Sequence, residues 1–124
     1  MSDPEAVHRR FEQFVNEASL DGALALYDAD AVLVERGGKL VIGLNAIREY
    51  LAGLLAIRPR ITIRHRTTIR AGKVAVLISD WELEAVGPNG EAIRDGGRTY
   101  DIVRQQEDGN WLLAVDNPWH VSPE

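Results

Sequence analysis

The sequence contains no cysteine. Disulfides and thiolate nucleophiles are therefore excluded, and a zinc site would have to come from three histidines and scattered carboxylates. His8, His65 and His120 show no H-x-H or H-x-x-x-H spacing, so neither a metal site nor any other cofactor is expected. Long apolar runs are missing too. Residues 1–5 are polar and acidic and lead into no hydrophobic stretch, so neither a signal peptide nor a membrane span is expected, and a cytoplasmic location is the default. Positive charge is in short supply, with 14 Lys and Arg against 19 Asp and Glu and a net charge of −5. Nucleic-acid binding, which relies on clustered basic residues, is not expected. There is no G-x-S-x-G elbow and no phosphate-cradling glycine loop, which argues against acyl-enzyme and nucleotide chemistry. No repeat, low-complexity tract or linker divides the 124 residues. A single domain of this length hides roughly two-thirds of its unfolded surface and needs no staple.

What is present is a change of period along the chain. Ser2 or Asp3 suits a helix cap, Pro4 a first turn, and Val7, Phe11, Phe14, Val15 and Ala18 recur at helical spacing. Ser19 is a cap for a second short helix in which Leu20, Ala23, Leu24 and Tyr27 share a face, ended by residues 28–30. Residues 31–35 and 39–42 read as short strands joined by Gly37 and Gly38. A third helix follows Gly43 and Asn45, with Ile47, Tyr50, Leu51, Leu54 and Leu55 as its apolar stripe, and it stops before Pro59. Beyond that the period is two. Strands are predicted over 61–71, 74–86, 91–106 and 111–121, with turns at 87–90 and 108–109 and a bulge at Gly96-Gly97. Helices first and meandering strands last imply an α+β domain, its helices packed on one face of a curved antiparallel sheet. A trough of long strands partly closed by helices leaves a pocket for a small molecule.

Several side chains admit two readings. Arg58, Arg60, Arg64, Arg66 and Arg70 form a basic group, read here as a solvated or dimer-forming sheet face because no aromatics interleave with them as stacking platforms. Asp80 and Glu82 are placed to meet Arg64 and Arg66 across that face. His65 falls among isoleucines on the predicted apolar face, as a pocket acid or base or as a core histidine with a satisfied hydrogen bond. Trp81, Trp119, Tyr27 and Tyr50 suit pocket walls and also simple core packing. The segment 116–120 is too polar for pure core. Asn117 there offers a hydrogen bond to a ligand carbonyl and His120 a proton near neutral pH, or both belong to a capped strand end.

The runs Ser19-Leu20-Asp21-Gly22-Ala23-Leu24-Ala25-Leu26-Tyr27-Asp28-Ala29-Asp30-Ala31, Gly43 through Ala46-Ile47-Arg48-Glu49-Tyr50, and Tyr100-Asp101-Ile102-Val103-Arg104 with Asp108-Gly109-Asn110-Trp111 resemble the nuclear transport factor 2 and ketosteroid isomerase superfamily. The resemblance covers nearly the whole chain. The ending Trp111-Leu112-Leu113-Ala114-Val115-Asp116-Asn117-Pro118-Trp119 is similar to a bacterial, polyketide-cyclase-like branch. The resemblance implies a cone-shaped fold with a strongly curved mixed or antiparallel sheet, a pocket at its mouth and a homodimer through the sheet face. For function it implies a hydrophobic small-molecule partner and cofactor-independent isomerase, cyclase or dehydratase chemistry on a carbonyl compound. A non-catalytic binding or assembly domain is the alternative.

By the same resemblance, Glu35 stands at the place of a carboxylate general base and Asp101 at that of a protonated oxyanion donor, an arrangement requiring two carboxyls with pKa values pushed apart. Phe11 replaces the first-helix tyrosine and brings no hydroxyl to an enolate oxygen. The expected pocket is Phe11, Tyr27, Tyr50, His65, Trp81, Asn117 and Trp119. Against the catalytic pair stands the simpler reading, in which Glu35 is solvated beside its hairpin and Asp101 pairs with Arg98 or Arg104.

Overall fold

Helix α1 (Ala6–Asn16) begins where the Asp3 carboxylate accepts the Ala6 N–H at 3.0 Å, taking up one of the donors that a helix start leaves unpaired. Ser2, the other capping candidate, lies outside the described residues, which in this computed structural model are 3–120. Ala18 turns left-handed at φ 55°, and Ser19 caps α2 (Leu20–Leu24) by accepting the Gly22 N–H at 3.2 Å. Helix α3 (Leu44–Ala56) starts after Gly43, whose φ of 89° suits a residue without a Cβ, and buries Ile47, Leu51 and Leu55.

The strands are β1 (Tyr27–Val34), β2 (Leu40–Ile42), β3 (Arg60–Ala71), β4 (Val74–Val86), β5 (Ala92–Gln105) and β6 (Trp111–Asp116). They form one sheet in the order β2-β1-β6-β5-β4-β3. All neighbours are antiparallel except β1 and β6, which run parallel, so the sheet is mixed. Along β4, Ala75, Leu77, Ser79, Trp81 and Leu83 are buried toward the helices, and the residues between them face away. Helix α1 packs against β3 and α3 against β1 and β2, with α2 between the two helices. The core between these layers includes Leu33, Ile47, Leu51, Leu77, Val103 and Leu113. On the other face Arg64 meets Glu82 at 2.8 Å, Arg66 meets Asp80 at 2.9 Å and Arg98 meets Asp80 at 2.7 Å, the cross-strand ladder that the alternation implied.

Four details depart from the sequence reading. The second helix ends at Leu24, and residues 27–30 are strand, because Leu26 and Tyr27 pair with the edge of β6: the Leu113 N–H donates to the Leu26 carbonyl at 2.7 Å. Gly96 and Gly97 make no bulge, since their pairing with Glu82 and Trp81 continues in register. Glycine is required for closeness at Gly96, where a Cβ would lie 2.8 Å from the Trp81 carbonyl oxygen; one at Gly97 would make ordinary contacts with Pro118 and Trp119. The register breaks instead between His65 and Thr67 and between Ile102 and Val103. The last strand ends at Asp116, and Asn117–Trp119 fold back over Gly97; Val121 lies outside the described residues.

Candidate functional site: a buried acid cluster in an apolar cavity

Between the helices and the concave side of the sheet lies a cavity of about 250 Å³. Its walls are mostly apolar, with Phe11 from α1, Tyr50, Leu51 and Leu54 from α3, and Ile61, Ile63, Trp81 and Leu83 from β3 and β4. Trp119 packs edge-on against Trp81, their centroids 5.8 Å apart, and the Trp81 indole N–H donates to the Pro118 carbonyl at 2.6 Å. No lysine or arginine is among the lining residues.

The polar groups gather in one place. His8 projects from α1 into the core, 4% exposed, with Nε2 2.6 Å from Asp101 Oδ2 and Nδ1 2.8 Å from Ser79 Oγ. The other Asp101 oxygen accepts from the Thr99 hydroxyl at 2.6 Å and the Asn117 N–H at 2.9 Å. A serine hydroxyl either donates to or accepts from an imidazole nitrogen, so the Ser79 contact is compatible with either role of His8 Nδ1. Beside this unit the Tyr27 hydroxyl donates to Asp116 Oδ2 at 2.6 Å. Burial pushes the Asp116 carboxyl well above the ordinary carboxylate range; the Asp101 charge adds to that, against the pull of the Tyr27 hydroxyl. The result favours the neutral acid form of Asp116. Burial, then the Asp116 charge, raises Tyr27 well above an ordinary phenol. Burial and the charge of Asp116 push Tyr50 up to about 12, so its hydroxyl stays a proton donor. That hydroxyl has no hydrogen-bond partner among the described residues.

At the rim Arg36 pairs with Asp95 and lies over the Trp119 ring, 5.3 Å from its centroid. Burial works to raise the Asp95 carboxyl, but the Arg36 guanidinium and the Gly96 N–H together outweigh it and hold the pKa below the usual value. The Trp119 indole N–H adds a weak downward pull without reaching hydrogen-bond geometry.

Of the residues singled out from the sequence, Phe11, Tyr27, Tyr50, Trp81, Trp119 and Asp101 line this cavity. Glu35, half-buried at the turn after β1, does not, and reaches Tyr50 only through its charge. Glu35 and Asp101 therefore do not face one cavity. His65 is exposed, its Nε2 2.7 Å from the Thr68 hydroxyl, which in turn donates to Glu5. It falls beside the register break on the edge strand β3, where the inward and outward faces exchange. Asn117 contributes its backbone, with its N–H on Asp101 and its carbonyl accepting from the Thr99 hydroxyl, and it is not among the lining residues. Asp101 pairs with neither suggested arginine, because Arg98 is taken by Asp80 and Arg104 by Asp28.

Sequence reasoning missed His8, Ser79, Thr99 and Asp116 as parts of one cluster. One signal was available: His8 shares a helical face with Phe11 and Val15, at spacings of three and seven. Among the described residues no group of three or more histidines and carboxylates is arranged to hold a metal ion, and no helix is long and apolar enough to cross a membrane.

Helices on one face of a curved, mixed sheet, with an apolar cavity between the layers, define an α+β fold class. Within that class the chain belongs to the SnoaL-like domain family, whose profile matches residues 7–114. No curated protein matches the sequence. Among solved structures, the fold is similar to a ketosteroid isomerase-like protein from Erwinia carotovora atroseptica SCRI1043, with TM-score 0.83, 18% identity and coverage of 97% of this chain and 95% of that one. It is also similar to a candidate dehydratase of the NTF2-like family from Streptomyces avermitilis, with TM-score 0.79, 13% identity and 94% coverage of both chains. A third is a candidate calcium/calmodulin-dependent protein kinase II association domain from Xanthomonas campestris, with TM-score 0.78, 18% identity and coverage of 93% and 84%. At these identities the likeness is one of fold.

Proposed function

We propose that this chain binds a hydrophobic carbonyl compound and moves a proton on it, as a cofactor-independent isomerase, cyclase or dehydratase. The observation that carries the reading is the cluster His8, Asp101, Asp116 and Tyr27 on the floor of a mostly apolar cavity. Asp116, which burial favours as the neutral acid, stands beside the hydrogen-bonded Asp101 carboxyl, so that an acid and a base can act in one place. Asp101, oriented by Thr99 and the Asn117 N–H and coupled to His8, takes the proton from carbon next to the substrate carbonyl. Tyr50 and the neutral Asp116 donate to the enolate oxygen, in place of the hydroxyl that Phe11 lacks. The proton on the Asp101–His8 unit is then returned to another carbon or to a leaving oxygen. Glu35 has no part in this assignment, because it does not line the cavity.

The test is a titration with planar phenols of graded acidity, as enolate mimics, while proton uptake is followed. Affinity should rise with the basicity of the phenolate; Tyr50→Phe should flatten that trend, and Asp101→Asn should abolish the uptake. If Asp101→Asn and Tyr50→Phe leave phenol binding unchanged, the proton-transfer reading falls.

One observation favours a non-catalytic alternative: both ring nitrogens of His8 and both oxygens of Asp101 already have partners. In that reading the same cavity only holds an apolar ligand. Either way we propose a homodimer through the outer sheet face. Its support is a row of apolar side chains, Ile69, Val76 and Ile102, aligned across three strands, with Ile69 57% exposed.

A further inference from the structure

Arginines are absent from the cavity lining but gather just outside it. A second, open groove of about 750 Å³ runs over the ends of β3, β4 and β5 beside the C-terminus of α3. It shares Ile57 and Ile93 with the apolar cavity, so the two are neighbouring compartments divided by those side chains. Arg58, Arg60 and Arg94 line the groove, and none has a carboxylate partner among the described residues. This contrasts with the rest of the sheet face, where Arg64, Arg66, Arg98 and Arg104 are all paired. The groove's one acid is Glu84, which sits in register between Arg60 and Arg94 and forms an ion pair with neither. Three cations against one anion line the groove, although Arg60 and Arg94 also border an adjoining pocket that holds Glu82 and Asp95. Arg58 also holds a left-handed backbone at φ 51°, at the helix-terminal position that glycine usually takes.

We infer that the ligand of this site is amphipathic: an apolar carbonyl-bearing body in the cavity, tethered to a carboxylate or phosphate end that lies among Arg58, Arg60 and Arg94. The inference rests on the proposed function for the body and adds the tail. Inside the cavity an anionic end would meet apolar walls and carboxyl groups with no lysine or arginine in the lining, whereas in the groove it meets unpaired guanidiniums suited to bidentate contact with carboxylate and phosphate alike. The Ile57 and Ile93 boundary lets one molecule occupy both compartments.

The experiment compares 2-naphthol derivatives carrying a short alkyl chain that ends in hydroxyl, carboxylate or phosphate, read by quenching of Trp81 and Trp119. The anion-ended compounds should bind about five- to tenfold tighter than the hydroxyl-ended one at low salt, and the gap should narrow as salt is added. In Arg58→Gln/Arg60→Gln/Arg94→Gln the ratio of the affinities should fall to near one, and Arg94→Gln alone, which leaves the helix end untouched, should reduce it partway. Comparing the carboxylate and phosphate tails tells which anion the groove prefers. If the hydroxyl-ended compound binds and an anionic tail brings no gain, or the gain survives the triple substitution, the tail site is refuted while the cavity reading stands. If none of the compounds binds, the cavity reading fails and the inference fails with it.

Discussion

Asp116 sets the electrostatics of the cavity floor, and its raised pKa has a sign that can be measured. In the unfolded chain its carboxyl ionises near the ordinary value of about 4; in the folded protein burial and Asp101 raise it. The folded state therefore retains a proton that the unfolded state releases. This contribution to stability is complete below about pH 4 and is lost as pH rises through the folded value. Urea titrations of wild type and Asp116→Asn should show wild type losing stability relative to the variant between pH 4 and pH 8. Contributions from Asp28, Asp80 and Asp95, whose pKa values are lowered, have the opposite sign and cancel in the comparison. A difference that is flat with pH would remove the raised pKa. Tyr50 gives a second residue-level prediction. Loss of one hydrogen bond to a charged oxygen costs about 1.5–3 kcal/mol, so Tyr50→Phe should weaken binding of a phenolate roughly tenfold or more. Circular dichroism should stay near wild type, because the hydroxyl supports no protein contact. The Asp101 partner was not legible from the sequence, since a helical histidine 93 positions away from its aspartate leaves no local pattern.

At the level of elements, what could be read was what local periodicity controls. The α1 and α3 stripes, the Ser19 cap and the two-residue alternation of β4 all stand as the sequence spaced them. What could not be read depended on partners far along the chain. Tyr27 belongs to a helical face by spacing, but the parallel edge of β6 draws it into a strand. Past the register break in β3 the faces exchange, which turns Ile69 outward to 57% exposure. The Gly96-Gly97 pair was legible as unusual while its reason was not. Close approach explains Gly96, and Gly96→Ala should destabilise the protein by about 1–3 kcal/mol, the usual range for overpacking against atoms that cannot move aside. Thermal melting checks this. Unchanged stability would mean that β4 yields around the Trp81 carbonyl.

For the whole molecule, the proposed sheet-face dimer turns on one row of apolar side chains. Ile69→Glu puts a charge at the end of the row Ile69, Val76 and Ile102. Light scattering coupled to size exclusion should show a dimer for wild type and a monomer for the variant. A wild-type protein that stays monomeric at every concentration would refute the sheet-face dimer.

The parallel pairing of β1 with β6 has a consequence for how the protein is made. Strand β1 lies between β2, which the ribosome delivers a few residues later, and β6, which it delivers last among the described strands. Until then the emerging chain exposes an open edge at β1. Contacts this distant in sequence slow the final closure and leave an aggregation-prone intermediate. Asp116 arrives on that same strand, so the pocket acquires its acidic floor in the step that completes the sheet.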